Sequence, residues 1–241
     1  MSKAKKISFS TILSILAIVL VVPFVFMLTG CGSKLNVKEV STQEALIEAI
    51  ADEKVDEIKL TSDIIIEDII SVTRKVTLNL NGKTISNTKD IWVDTETEDK
   101  WSLISVGANG DLTITGNGKL KAKENDCFAV DVVGGGKVTI NDGEFVGNIS
   151  AIYVFEGEAI IKGGKYSIQQ LSSQNDERFT LNLYDANRTN GTAKITVSGG
   201  EFSKFNPANN LAEGENTNFV ADGYKTVLVE GSTTDYKVVK E

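Results

Sequence analysis

The sequence predicts an all-β fold in which short parallel strands stack as the successive coils of a solenoid, about five to six coils in all. Three observations predict this fold. From about residue 70 onward, apolar and polar residues alternate with the period of two that is typical of strands. Two alternating segments recur together along the chain. A glycine and then a charged residue follow the second segment each time.

The segment followed by glycine occurs five times. Its copies are Val76–Asn79, Leu112–Thr115, Val138–Asn141, Ala159–Lys162 and Ile195–Ser198. The glycines are Gly82, Gly118, Gly143, Gly164 and Gly200, and the charged residues after them are Lys83, Lys119, Glu144, Lys165 and Glu201. Because glycine adopts a positive φ without strain, it suits a turn between strands. We expect the charged residues to form one column of exposed pairs, each contributing little to stability.

A second alternating segment precedes each of these copies. It is found at Ile70–Val72, Ile104–Val106, Val130–Val132, Ile152–Val154 and Leu181–Leu183. The shortest step between copies, from 132 to 154, is 22 residues, which fits three short strands and three turns in one coil. One coil cannot bury its apolar face alone, so stacking would supply the core. A β-sandwich is disfavoured because its hairpin connections give no reason for one register to repeat.

The two ends of the solenoid carry their own signals. Ser41 followed by Glu44 fits a capping box and predicts a helix over about 42–53, which would cover the amino-terminal end of the core. The segments 224–229 and 236–239 alternate on either side of a polar stretch. They predict an antiparallel hairpin that covers the last strand edge.

Two short stretches carry a family resemblance. Leu-Asn-Leu-Asn-Gly-Lys-Thr-Ile at 78–85 and Gly-Gly-Glu-Phe-Ser at 199–203 look like repeats of surface proteins. With the periodic pattern, they resemble the right-handed single-stranded parallel β-helix of the pectate-lyase-like superfamily over roughly residues 40–241. The resemblance implies three short strands per coil. It implies no single activity, because that fold hosts lyases, hydrolases, adhesins and phage tailspikes.

The amino-terminal segment has the order of a secretion signal. Lys3, Lys5 and Lys6 precede a stretch without charged residues that reaches Leu28, and Leu28-Thr29-Gly30-Cys31 resembles the lipobox of bacterial lipoproteins. The resemblance implies a signal peptide over 1–30 and a lipid on Cys31. We expect a lipidated tether over 31–40 and the β-helix domain over 41–241 to follow. An uncleaved transmembrane helix is the alternative, because the apolar stretch is close to the length that spans a bilayer. Either way, we expect the rest of the chain outside the cytoplasm.

Composition argues against several function classes. The net charge of −8 leaves no positive excess for neutralising phosphates, so no nucleic-acid partner is expected. The chain has no histidine, which removes the commonest general base and metal ligand. One predicted outward column, Ser71, Ser105, Asp131, Tyr153 and Asn182, contains a single carboxylate, and another, Thr77, Thr113, Thr139, Ile160 and Thr196, contains none. We therefore expect no catalytic residues, no metal and no cofactor.

Two features are candidates for ligand contact. Tyr153 and Phe155 are predicted to point outward, with Tyr184 stacked beside Phe155 on the next coil and with Asp131 and Asn182 flanking Tyr153. Flat aromatic faces suit sugar rings. The alternative is that the insertion 167–180 or that at 184–194 covers these rings, because exposed apolar patches are costly.

The insertion 86–101 is the second candidate. It contains Trp92 and Trp101 together with several acidic residues, namely Asp90, Asp94, Glu96, Glu98 and Asp99. It is interpreted either as a binding loop with an aromatic platform or as a solvated acidic loop held to the body by its tryptophans.

The sequence thus predicts a non-catalytic, lipid-anchored, monomeric surface protein. We expect an adhesin or glycan-binding module with two partners, the bacterial cell membrane through the lipid on Cys31 and a polysaccharide or host glycan. A polysaccharide lyase or hydrolase and a structural envelope spacer are the alternatives. Cys127 is expected to be a lone buried thiol.

Overall fold

A computed structural model describes residues 35–172, 177–214 and 216–241, and residues Leu35–Glu241 form one compact unit. The signal peptide predicted over 1–30 and the lipid site predicted at Cys31 lie outside these described residues. Within the described ranges, no helix combines the length and the apolar character needed to cross a bilayer. The fold is mostly β, with 43% strand and 7% helix, as predicted.

The elements are numbered in chain order. The strands are β1 (Val37–Val40), β2 (Glu57–Leu60), β3 (Ile64–Ile66), β4 (Ile70–Val72), β5 (Lys75–Asn79), β6 (Thr84–Asn87), β7 (Val93–Asp94), β8 (Asp99–Lys100), β9 (Ser102–Val106), β10 (Asp111–Thr115), β11 (Lys119–Lys121), β12 (Phe128–Val132), β13 (Gly136–Ile140), β14 (Glu144–Gly147), β15 (Ile152–Val154), β16 (Gly157–Ile161), β17 (Lys165–Ile168), β18 (Leu181–Leu183), β19 (Ala193–Val197), β20 (Glu201–Phe202), β21 (Tyr224–Leu228) and β22 (Tyr236–Lys240). The two helices are α1 (Gln43–Ala51) and α2 (Asp185–Asn190).

Three long sheets contain almost all of the strands. Sheet 1 has the order β1-β2-β5-β10-β13-β16-β19, sheet 2 the order β3-β6-β11-β14-β17-β20-β22-β21, and sheet 3 the order β4-β9-β12-β15-β18. From β2 to β20 the chain visits sheets 1, 2 and 3 in that rotation. From β5 onward, each of these strands outside the β7–β8 hairpin pairs in parallel with the strand one round earlier. The hairpin β7–β8 interrupts one round.

The predicted registers within sheets 1 and 3 are confirmed. In sheet 3, Ile104 lies between Ile70 and Val130, and the column continues through Ile152 to Leu181. In sheet 1, the threonine column aligns as predicted, with Ile160 in its fourth place. The inward columns are almost fully buried and form one continuous core between the sheets. Parallel ladders and this core together satisfy the strand backbones and hold the rounds together.

One position of the charge column was wrong. Lys119 pairs in register with Thr84, not with Lys83. Lys83 instead lies beside Gly118, where an added Cβ would stand only 2.2 Å from the Lys83 carbonyl oxygen. The extra residue after Gly82 therefore belongs to the turn. The rest of the column is confirmed, with Lys119 paired to Glu144 at 2.8 Å and Lys165 to Glu201 at 3.3 Å.

The amino-terminal end differs from the prediction in two details. The helix cap is Thr42 instead of Ser41, because the Thr42 hydroxyl accepts a hydrogen bond from the Ala45 N–H at 3.2 Å. The predicted tether over 31–40 includes strand β1, which pairs in parallel with β2. The helix itself packs Leu46, Ala49 and Ile50 into the core, as expected of a cap.

Arg74 secures the other end of helix α1. The guanidinium donates hydrogen bonds to the carbonyl oxygens of Ala49 and Ile50, in the last turn of the helix, and to that of Val55 beyond it. These carbonyls have no partner within the helix, so a cation there satisfies them and complements the helix dipole. Arg74 lies in the turn between β4 and β5, which ties the helix to the first round.

The carboxyl-terminal end is covered by the predicted hairpin and by a long connection. Strand β22 pairs antiparallel with β20 and with β21, which confirms the hairpin. Between β20 and β21, a long connection lies across the end of the core and buries Phe205 and Phe219. The insertion at 184–194, predicted as loop, contains the short helix α2, which ends at Gly191 in the left-handed conformation.

Candidate functional site

Six aromatic rings form a continuous chain on the outer side of sheet 3. We call this set the aromatic cluster; its members are Trp92, Phe128, Tyr153, Trp101, Phe155 and Tyr184. Successive ring centroids lie 5.1, 5.3, 5.7, 5.6 and 4.6 Å apart in that order. These separations fall within the range of attractive aromatic pairs. The cluster therefore joins the two candidate features that the sequence predicted separately.

The buried carboxylate of Asp126 holds the insertion 86–101 at the cluster. Asp126 accepts hydrogen bonds from the backbone N–H groups of Ile91, at 3.1 Å, and Trp92, at 3.0 Å. It also accepts one from the side-chain amide of Asn87, where the insertion begins. These contacts fix the backbone at Trp92, because the N–H groups of two consecutive residues are held by one side chain. The hairpin β7–β8 then returns the chain to Trp101.

Trp101 covers the middle of the cluster. Its ring contacts both Tyr153 and Phe155. Strand β12 is buried along its whole length, including Asp131, which lies between the core residues Val130 and Val132. The tryptophan-bearing insertion thus covers the middle of the cluster, a role that the sequence had assigned to 167–180 or 184–194. Of these two, 184–194 contacts Phe155 through Tyr184 and through the Asn187 amide. The stacking of Tyr184 on Phe155 is as predicted.

Asp131 and Asn182 flank Tyr153 in register, as predicted, and both have protein partners. Asp131 is only 2% exposed, and its carboxylate accepts a hydrogen bond from the Ser105 hydroxyl. Burial raises the pKa of Asp131 to about 6, and the hydrogen bond from the Ser105 hydroxyl opposes the rise. Asn182 donates to the Ser150 hydroxyl at 3.1 Å. Asp131 therefore lies beneath the ring layer, out of reach of a surface ligand.

The cluster is open at its two ends. Trp92 is 37% exposed and Tyr184 is 42% exposed, whereas Phe128 is buried and Tyr153 and Phe155 are half-buried. Burial raises the pKa of Tyr153 to about 12.

The Trp92 end borders a cleft of about 390 Å³, which we call the Trp92 cleft. Its lining residues are Asp90, Trp92, Asn125, Asp126, Phe128, Asn148 and Ile149. An indole and a phenyl ring thus share the cleft with two carboxylates and two amides. Apolar walls with a few placed polar groups are typical of small-ligand sites. Asp90 pairs with Lys123 at 2.6 Å and its side chain is mostly exposed, so its carboxylate is accessible from the cleft.

A third buried carboxylate, Glu213, lies beyond the Tyr184 end. Glu213 accepts a hydrogen bond from the Leu183 N–H at 2.9 Å, on the last strand of sheet 3. Its other oxygen, Oε2, is 3.7 Å from the Arg188 guanidinium. Burial raises the pKa of Glu213 to about 7. Asn210 donates to the Leu181 carbonyl at 3.3 Å. Side chains of the long connection thus satisfy backbone groups on this strand edge.

Sequence reasoning missed the residues that organise the site. Phe128 is an even number of residues from the inward-pointing Val130 and Val132. Alternation alone therefore predicts that Phe128 points into the core. Asp126 and Glu213 lie outside every repeated segment, and no local motif marks either one. Among the described residues, no group of three or more acidic or cysteine side chains could hold a metal ion.

Comparison of the chain with protein-family models, curated proteins and solved structures gave no match.

Proposed function

We propose that this protein is a lipid-anchored surface protein whose aromatic cluster binds a glycan, with the Trp92 cleft as the principal contact. One observation carries the proposal: the side chain of Trp92 is partly exposed at the cleft. Asp126 holds its backbone in place, and Asp90 and Asn148 also line the cleft. An indole face packs against the C–H face of a sugar ring, while carboxylate and amide groups bind its hydroxyls.

A proposal about the handedness and type of the fold accompanies this function. We infer a right-handed parallel β-helix, because the chain visits three parallel sheets in rotation and because parallel crossover connections are almost always right-handed. In such a fold, each round adds one strand to each sheet at a spacing of about 4.8 Å. Insertions between rounds would then be free to present side chains on a rigid scaffold, which suits the insertion 86–101.

The proposed anchor rests on the sequence of the amino-terminal segment. A lipid on Cys31 would hold the protein at the outer side of the bacterial cell membrane, and two or more acyl chains would make that attachment stable. Growth of cells with a clickable palmitate analogue tests this step. We expect labelling of the full chain and loss of the label in Cys31→Ala. A label that survives the substitution would refute lipidation at this residue.

Glycan binding is tested with the full chain purified in detergent on an oligosaccharide array, followed by calorimetry on the strongest ligand. We expect Trp92→Ala to weaken binding at least tenfold, because stacked aromatic side chains dominate such contacts. The matched control is Leu228→Ala, which removes a similarly exposed apolar side chain from the distant hairpin and should leave binding unchanged. Equal affinities for wild type and Trp92→Ala would refute the site.

A structural spacer is the second candidate, and the buried middle of the aromatic cluster favours it. Rings that stabilise the insertion need no ligand, since burial of their faces is sufficient reason for their presence. The two candidates differ in one outcome. For a spacer, Trp92→Ala lowers the free energy of unfolding and the array is blank. For a glycan binder, Trp92→Ala removes a binding signal that the wild type gives.

A further inference from the structure

The chemical class of glycan follows from the charge around the Trp92 cleft, and this inference rests on the proposed function. Among the residues that the structure describes, two carboxylates, Asp90 and Asp126, line the cleft and no basic residue does. The Lys123 ammonium is paired with Asp90 at 2.6 Å. The carboxylate of Asp126 already accepts hydrogen bonds from three protein donors, so Asp90 is the carboxylate of the cleft that is open to a ligand.

The segment that carries Trp92 is also acidic. Asp94, Glu96 and Asp99 are exposed on the same insertion, and Glu124 is exposed beside the lining residue Asn125. Lys100, the basic residue of the hairpin, bridges Asp68 at 2.9 Å and Glu98 at 2.6 Å. The basic residue Lys89 pairs with Glu67 at 2.6 Å. The insertion 86–101 therefore carries five acidic residues and two basic ones, and both basic residues are paired with carboxylates.

We propose that the Trp92 cleft selects uncharged sugar units and rejects uronic-acid units. A sugar hydroxyl can donate to the exposed Asp90 carboxylate, which is an acceptor only. A sugar carboxylate offers no proton to Asp90 at neutral pH and is repelled by it. At contact distance in water, one such repulsion weakens binding about fivefold, and it is larger where the site is partly desolvated.

Matched polymers that differ only at C6, a hydroxymethyl group in one and a carboxylate in the other, provide the test. β-1,4-Mannan oligosaccharides are compared with β-1,4-mannuronan oligosaccharides, and β-1,4-glucan with β-1,4-glucuronan, because each pair shares linkage and ring stereochemistry. Affinities are measured with the full chain in detergent at low and at high salt. We expect the neutral member of a recognised pair to bind at least fivefold tighter. We also expect high salt to reduce the difference in affinity between the neutral and the acidic oligosaccharide, because salt screens the repulsion between Asp90 and the sugar carboxylate.

Substitution at Asp90 separates charge from shape. Asp90→Asn keeps the size of the side chain and removes the accessible charge, so we expect weaker binding of the neutral member and stronger binding of the acidic one. Glu230→Gln removes an exposed charge from the distant hairpin and should change neither affinity.

The outcomes distinguish the two proposals. An acidic oligosaccharide that binds better than its neutral counterpart, with binding lost in Trp92→Ala, would overturn the inference about charge and leave glycan binding at the cleft intact. A blank result for every neutral and acidic oligosaccharide would overturn glycan binding itself and this inference with it.

Discussion

Asp131→Asn is expected to stabilise the protein at neutral and alkaline pH. The carboxylate is buried between Ser105 and the ring layer, and burial raises its pKa to about 6. An aspartate in the unfolded chain titrates near 3.9, so ionising Asp131 in the folded protein costs about 3 kcal/mol relative to the unfolded chain. An amide of the same shape needs no ionisation and still accepts the Ser105 hydrogen bond.

The sign of the pH dependence follows from linkage. Between about pH 4 and 6 the folded protein binds more protons than the unfolded chain, so the contribution of Asp131 to stability is greatest below pH 4 and is lost as pH rises through 6. We expect Asp131→Asn to exceed wild type by about 0.5 kcal/mol at pH 4 and by about 3 kcal/mol at pH 8.

Urea denaturation followed by circular dichroism at pH 4, 5, 6, 7 and 8 measures this difference directly. The control is Asp222→Asn at an exposed turn, which should stay within about 0.5 kcal/mol of wild type at each pH. Glu213 has the same pH dependence, because its contribution to the free energy of unfolding is lost as pH rises from about 4.5 to 7. Wild type and Asp131→Asn both contain Glu213, so its contribution cancels in their difference. A destabilised Asp131→Asn at pH 8, or a difference that does not change with pH, would refute the reasoning.

Three further predictions concern the scaffold. Gly118→Ala should lower the free energy of unfolding by about 1–3 kcal/mol in the same denaturation assay, because the new Cβ would lie 2.2 Å from the Lys83 carbonyl oxygen. The control is Gly107→Ala, where the nearest atom would be 3.7 Å from the new Cβ. It should cost less than about 1 kcal/mol. Equal costs would contradict the register at β11. Arg74→Ala should cost about 2–4 kcal/mol, since carbonyl groups of α1 lose their donor, and Arg74→Lys should recover only part of the loss. Full recovery by lysine would show that charge alone matters. Cys127 should react with a maleimide only in denaturant, because the thiol is buried and burial raises its pKa, and rapid labelling of the native protein would contradict that placement.

The repeated segments were sufficient to predict the sheets. Strand side chains alternate with a period of two, so a shift by one residue would expose a whole apolar column, and the sequence allows only one register that buries them all. The columns through Ile104 and Thr113 were therefore predicted residue by residue. Lys83 was misplaced for a related reason, because a turn can accept one extra residue without changing the alternation on either side of it.

The cap at Thr42 and the strand β1 show a different limit. Ser41 and Thr42 are both good helix caps. The cap is the residue at which the backbone changes from extended to helical, and a sequence motif does not specify that residue. Strand β1 contains only four residues and has one buried position, Val40, so its alternation is too short to be distinguished from a tether.

The sequence by itself determined the mostly β fold, the helix at one end, the hairpin at the other and the identity of most aromatic candidates. Each of these depends on local periodicity or on residue type. Only the tertiary structure decided that Trp92 and Trp101 meet Tyr153 and Phe155 in one cluster and that Asp131 lies beneath it. An insertion has no repeat to fix its path, so its position depends on distant contacts, here chiefly the carboxylate of Asp126.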